Sequence, residues 1–191
     1  PQFRTDVTLY RSQLTNLVSG REDAFRFFSG PPPAGPLDTD PYATDGAGEV
    51  CGAEAIARLT TENTTAWAST TISRSTRQKR PDQESVLFTY DQPVVFTAVA
   101  SQALPRNWRM GSRARLGSGI PYTPVVNRFF DLGERQYQPV YGDSDGNRLP
   151  MFVSIDVRID KSWEWDTSGL SAYLDLQNAT NAQNAELMSW N

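Results

Sequence analysis

The sequence predicts an all-β chain, an antiparallel up-and-down meander whose strands are staves of a transmembrane β-barrel. The first observation behind this is the alternation of residues 151–165. Met151, Val153, Ile155, Val157, Ile159, Trp163 and Trp165 fall on one face. Phe152, Ser154, Asp156, Arg158, Asp160, Ser162 and Glu164 fall on the other, and Lys161 is the break on the apolar side. Successive side chains of a strand point to opposite faces. An apolar face about a bilayer tall, ending in tryptophans and backed by charges, suits lipid on one side and water on the other. A soluble sandwich also buries one face, but its strands are usually shorter, with a mode of about 5–6 residues.

The second observation is the rhythm of the connections. Period and turn signals place strands at residues 5–18, 49–59, 64–75, 93–104, 107–117, 151–165 and 168–178. The link from Val18 to Glu49 is long and rich in Gly, Pro and Asp, and the next, from Thr60 to Asn63, is tight. Ser75 to Gln92 is long and charged, Pro105-Arg106 is tight, Gly117 to Pro150 is long, and Asp166-Thr167 is tight. A meander gives this pattern when one rim carries elaborate loops and the other only turns, the asymmetry of outer-membrane barrels.

Facing can be assigned on the later strands. Leu170, Ala172, Leu174 and Leu176 oppose Gly169, Ser171, Tyr173, Asp175 and Gln177. Trp108, Met110, Ala114 and Leu116 share a face, with Arg109, Arg113 and Arg115 on the other. Arginines on a strand face need water or carboxylates nearby, and Asp156, Asp160 and Asp175 are candidates to supply counter-charge across a wet interior. A soluble sheet with one solvated face explains any one strand equally well, but explains the loop rhythm and strand length less well. Trp108, Trp163 and Trp165 sit beside the tight turns, where membrane-boundary rings are expected. Aromatic preference for strands is an equal explanation for each ring taken singly.

Composition narrows the function classes. The chain has 191 residues, 38% hydrophobic and 21% charged, with net charge −4 and no histidine; mean hydropathy is −0.51. No apolar run approaches the roughly 20 residues of a membrane helix, which does not exclude barrel strands, because their apolar residues are hidden in alternation. The negative charge offers nothing to nucleic acid. Absence of histidine removes the commonest general base and transition-metal ligand. The lone Cys51 forms no internal disulfide and is expected as a small apolar strand residue. Pro1-Gln2-Phe3-Arg4 is no signal peptide and reads like the interior of a longer chain.

A set of motifs resembles the late strands of TonB-dependent outer-membrane receptors. In order, they are Tyr90-Asp91-Gln92-Pro93, Leu104-Pro105 with Trp108, and Ser118-Gly119-Ile120-Pro121-Tyr122-Thr123-Pro124. Then follow Arg148-Leu149-Pro150-Met151-Phe152, Asp156-Val157-Arg158-Ile159-Asp160-Lys161-Ser162-Trp163, and Tyr173-Leu174-Asp175-Leu176-Gln177-Asn178 with Asn181 and Asn184. Gly52-Ala53-Glu54 and the stretch from Trp67 to Arg74 fit more loosely. The resemblance implies a barrel of about 22 antiparallel strands filled by an N-terminal plug. It also implies energised uptake of a scarce ligand of the siderophore–iron, cobalamin or glycan class. Implied partners are outer-membrane lipid, the receptor's own plug, the TonB protein through a missing N-terminal part, and the small-molecule or glycan ligand. No cofactor is implied, and the location is the outer membrane of a Gram-negative bacterium. Plug, TonB box and closing strand are absent from the sequence, which stops at Met188-Ser189-Trp190-Asn191 as another strand begins. The expectation is therefore a fragment, residues 1–191, of the C-terminal part of a barrel, folded as an open curved sheet.

For such a receptor, Arg109, Arg113, Arg115, Asp156, Arg158, Asp160, Tyr173 and Asp175 would line the inside and meet the plug through hydrogen bonds and charge pairs. Position in the long loops nominates Phe27, Phe28, Tyr42, Arg80, Tyr122, Arg128, Phe129, Phe130, Tyr137 and Tyr141 as external ligand contacts. Packing of loop against loop is the better explanation of each singly. Asp143-Ser144-Asp145-Gly146-Asn147 spaces oxygen atoms as a calcium loop does, with Asp143, Asp145 and Asn147 as ligands. It lacks the closing Glu, and an Asp/Gly turn at a loop tip is the preferred reading, with no metal assigned. Asp38, Asp40 and Asp45 are read the same way. The segment Gly30-Pro31-Pro32-Pro33-Ala34-Gly35-Pro36 is a stiff, extended loop piece.

Two other classes compete. A secreted soluble β-sandwich binding module would be monomeric without detergent. An outer-membrane barrel hydrolase needs a nucleophile and base, and without histidine the Ser–His pairing cannot form here. No catalytic residue is assigned.

Overall fold

The computed structural model describes residues 1–20 and 42–185, none of them helical. Its strands are β1 (Gln2–Gly20), β2 (Tyr42–Thr60), β3 (Thr64–Gln78), β4 (Val86–Leu87), β5 (Val94–Leu104) and β6 (Trp108–Gly117). They continue as β7 (Pro121–Tyr122), β8 (Val125–Asp131), β9 (Gln136–Tyr141), β10 (Asn147–Arg148), β11 (Phe152–Trp165) and β12 (Ser168–Leu176). One sheet runs β1-β2-β3-β5-β6-β11-β12, with β4 beside β3, and two ribbons pair β7 with β10 and β8 with β9. Every neighbouring pair along the main sheet is antiparallel. The chain is thus an all-β antiparallel meander, and the sheet is open, because β1 and β12 do not pair with each other among the described residues.

Each strand expected from the alternation is present. The first two are longer than expected, at 19 residues each. Residues 42–48 lack an alternating pattern; they are carried as strand by pairing with β1 across register shifts after Leu14 and Leu17. Asn16 makes the irregularity possible by taking a left-handed conformation, φ 57°. Tyr42, expected in a loop, therefore opens β2. The β8–β9 hairpin inside the third long connection was not anticipated. Asp131 Oδ1 shapes its turn by accepting from Gly133 N at 2.8 Å and Glu134 N at 3.3 Å.

Register carries one face across the whole sheet. A single row reads Thr5, Ala57, Ala68, Ala98, Ala114, Ile155 from β1 to β11. The adjoining rows read Val7, Ala55, Thr70, Phe96, Leu116, Val153 and Phe3, Leu59, Ala66, Ala100, Ser112, Val157, Leu176. Towards the tight turns the face continues with Gln102, Met110, Ile159 and Leu174. Towards the long connections it becomes charged at Arg11, opposite Cys51, itself opposite Arg74. Cys51 thus sits half-buried at the margin of the apolar belt, in the strand position expected of it.

Nothing described covers this apolar face. Phe3 is 70%, Ile155 37% and Leu174 69% exposed, and Ala43 and Leu149 are the buried hydrophobic residues among those described. A sandwich would have sealed these side chains between two sheets; here the main sheet is a single layer. On the opposite face, Tyr10 lies over Gly52, where a Cβ would stand 2.6 Å from the phenol oxygen, so the missing side chain gives the ring its seat.

Candidate functional site

The register places the eight residues nominated as inward-facing on one side of the sheet. Arg109 stands opposite Asp160, Arg113 opposite Asp156, and Arg115 opposite Ser154 across β6 and β11. Arg158 stands opposite Asp175, and Asp160 opposite Tyr173, across β11 and β12. Alternation puts all of them on the side away from Val153, Ile155 and Leu174.

The centre of this face is Asp156, only 7% exposed. Its Oδ2 accepts from Arg113 Nε at 2.8 Å and Nη2 at 2.5 Å. Its Oδ1 accepts from the Asn178 backbone N–H at 2.8 Å and from Ser154 Oγ at 3.0 Å. Both carboxylate oxygens are therefore satisfied by donors from β6, β11 and the chain beyond β12. Arg158 donates to Asp160 along its own strand, with Nη2 at 2.7 Å from Oδ1. Its guanidinium also stacks 3.9 Å from the Tyr173 ring centroid. Of the expected counter-charges, Asp156 serves Arg113 and Asp160 serves Arg158, whereas Arg115 lies 5.6 Å from the Phe152 ring centroid.

The chain after β12 folds against the upper edge of β11. β12 ends at Leu176, opposite Val157. Above that point Ala179 N donates to Ile155 O at 2.7 Å. The Asn184 side chain then imitates a strand neighbour, accepting from Val153 N and donating to Val153 O, both at 2.9 Å. Asn178 and Asn181 turn the chain in left-handed conformations, φ 48° and 50°. Side-chain amides supply the edge with both a donor and an acceptor, which is why asparagine suits these positions.

A second constellation lies at the rim of the long connections. Asp91, 2% exposed, is ion-paired with Arg148 Nη2. Its Oδ1 accepts from Ser75 N at 2.6 Å. Arg148 Nη1 donates to the carbonyls of Asp91 at 2.7 Å and Gly119 at 3.2 Å. Beside it, Gln92 Nε2 donates to Ser118 O at 3.0 Å, and Ser73 N donates to Pro93 O at 3.0 Å. Gly119 passes so close to Leu149 that a Cβ would lie 1.8 Å from its carbonyl oxygen. Asp91, Arg148, Asn178 and Asn184 were not singled out as site residues, although each lies in a motif that carries the family resemblance. That clustering is the sequence signal by which they could have been found.

The external candidates divide. Arg128, Phe129 and Phe130 are on β8 and Tyr137 and Tyr141 on β9. Phe130 meets Tyr137 edge to face at 5.2 Å, and Arg128 stacks over Tyr137 at 4.9 Å. This is packing within the hairpin, and it leaves Phe129, Phe130, Tyr137 and Tyr141 still exposed. Tyr122 is on β7, Tyr42 on β2, and Arg80 in the connection from β3 to β4. Phe27, Phe28, Asp38, Asp40, residues 30–36 and residues 188–191 lie outside the described residues. A cleft of about 760 Å³ opens at this rim between Val18, Arg77, Lys79, Phe88, Thr123 and Asp145; among the described residues, none of those nominated as external contacts lines it.

Asp143 and Asp145 belong to a turn, and Asn147 follows it as the first residue of β10. Gly146 N donates to Asp143 O at 3.0 Å, Asp145 takes φ 55°, and its N–H goes to Thr123 Oγ1 at 3.1 Å. Among the described residues no group of three or more acidic or cysteine side chains is placed to hold a metal ion. Comparison of the chain with protein-family models, with curated proteins and with solved structures finds no match in any of the three.

Proposed function

We propose that this chain is part of the barrel wall of an outer-membrane receptor of the TonB-dependent type, which takes up a scarce ligand with energy delivered from the periplasm. The observation that carries the proposal is the two-sided sheet. One exposed, mainly apolar face runs from β1 to β12, and the opposite face carries charges, among them the Arg113–Asp156 and Arg158–Asp160 pairs. A single-layer sheet of this kind is unstable in water, because apolar surface and open edges promote association. In a bilayer the same face is solvated by lipid.

Dimensions support the reading. At about 3.4 Å per residue, Val153 to Trp163 makes about 34 Å of strand, or about 26 Å of height at the roughly 40° tilt of barrel strands. That matches an apolar band of about 25 Å. Lys161, Trp108 and Trp163 would mark its lower boundary, with Arg11 and Arg74 the upper. The two open edges require further strands to complete a cylinder. In this reading the Arg113–Asp156 and Arg158–Asp160 pairs face a wet interior and offer a plug hydrogen-bonding groups. The exposed aromatics of β8 and β9 stand among the external loops, where a small molecule or a glycan would first be caught.

The test uses the product of the complete gene. Cells that make it are fractionated, and uptake of radiolabelled ferric siderophore, cobalamin and oligosaccharide is measured with and without a protonophore. Recovery in the outer membrane, with uptake of one ligand abolished when the proton gradient collapses, is the expected result. Recovery in a soluble fraction, or uptake indifferent to the gradient, overturns the proposal.

A further inference from the structure

We infer that Asp91 and Arg148 form a latch that makes two external connections, residues 79–93 and 118–151, open and close as a single body. The pair joins groups 57 positions apart. One carboxylate holds the end of β3 through Ser75 N and, through Arg148, the base of the β7–β10 ribbon. One guanidinium holds the backbone of both connections through Asp91 O and Gly119 O. Asp91 is nearly without solvent contact, so water cannot replace a lost partner cheaply.

The other contacts between the two connections are few and local. Gln92 reaches Ser118 O at 3.0 Å, and Thr89 Oγ1 reaches Asp145 Oδ2 at 3.4 Å. Without the pair, a turn that holds the exposed aromatics of β8 and β9 would be tied to the sheet mainly by its own ends. With it, displacement of that hairpin is felt at residues 79–93. The inference concerns the rim alone and holds whether or not the barrel transports.

Hydrogen exchange on the full-length protein in detergent tests it. Arg148→Met removes the guanidinium and keeps much of the stem. Exchange should rise in peptides of both connections, by about fivefold or more, since an unpartnered buried group costs about 1–3 kcal/mol and each 1.4 kcal/mol is tenfold. Peptides spanning β11 and β12 should keep their protection. Arg148→Lys keeps the charge but lacks the fork, so it should loosen both connections to a lesser degree. It also serves as the test variant if Arg148→Met does not fold. If exchange rises in residues 118–151 alone, or in neither connection, the latch is refuted.

Discussion

Lys161 and Arg106 meet across the tight-turn rim of the sheet. The Lys161 ammonium donates to the Arg106 carbonyl, and it lies 5.4 Å from the Trp108 ring centroid and 5.5 Å from that of Trp163. The break in the apolar alternation of β11 is thus a cation set between two indoles, binding a carbonyl in a turn where Arg106 and Asn107 take φ 61° and 60°. A lysine at the edge of an apolar face keeps its stem on the surface and its charge at the polar boundary. Lys161→Met should lower the denaturation midpoint in detergent by an amount equivalent to about 0.5–1 kcal/mol and shift the tryptophan emission. An unchanged or raised midpoint would show that this contact contributes nothing.

Leu174 stands opposite Ile159 on the apolar face. Leu174→Arg should block outer-membrane assembly of the full-length product, since a cation facing lipid near mid-depth costs about 2–4 kcal/mol. Ile155→Arg should do the same, to a degree set by its depth. Ser171→Arg, on the opposite face, should assemble normally, as should Ser154→Arg. Heat-modifiable migration on gels reads out assembly. Equal tolerance on the two faces would remove the basis for the membrane reading.

Gly119 has no room for a side chain beside Leu149. Gly119→Ala must push the two backbones apart, at a cost of about 1–3 kcal/mol. Proteolysis within residues 118–151 should accelerate while the main strands stay protected. Gly111→Ala is the control, because its nearest non-neighbouring atom would be 3.8 Å away. If the two variants are cut at the same rate, the close approach is not a constraint on the rim.

Asp156 and Asp160 differ in how many elements they join. Asp156 binds donors from β6, β11 and the segment after β12, whereas Asp160 is ion-paired with Arg158 two places away on the same strand. Asp156→Ala should therefore lower the thermal midpoint more than Asp160→Ala, and it should also release the segment at residues 178–184 to hydrogen exchange. A larger loss from Asp160→Ala would reverse this ranking.

Much of the sheet is legible in the sequence. In β11 and β12 the facing of each side chain follows from period-2 alternation, and alternation is a property of adjacent residues. The tight turns at 105–106 and 166–167 were visible for the same local reason, and the structure extends the first to Asn107. The extension of β2 to Tyr42 was not, because residues 42–48 carry no pattern of their own and are strand through pairing with β1, joined at Ala47 and Gly48 by β3. The β8–β9 hairpin was obscured by Pro139 within it, although Asp131 with Gly133 was a turn signal.

What the sequence determined by itself is the pair of faces: Ile155 and Leu174 on one side, Arg113 and Asp156 on the other. What only the tertiary structure decided is who pairs with whom. Asp91 with Arg148, Asp156 with Asn178, Val153 with Asn184 and Lys161 with Arg106 are each set by strand order, register and the path of long connections. Those depend on which distant segments close together, and no local period encodes that.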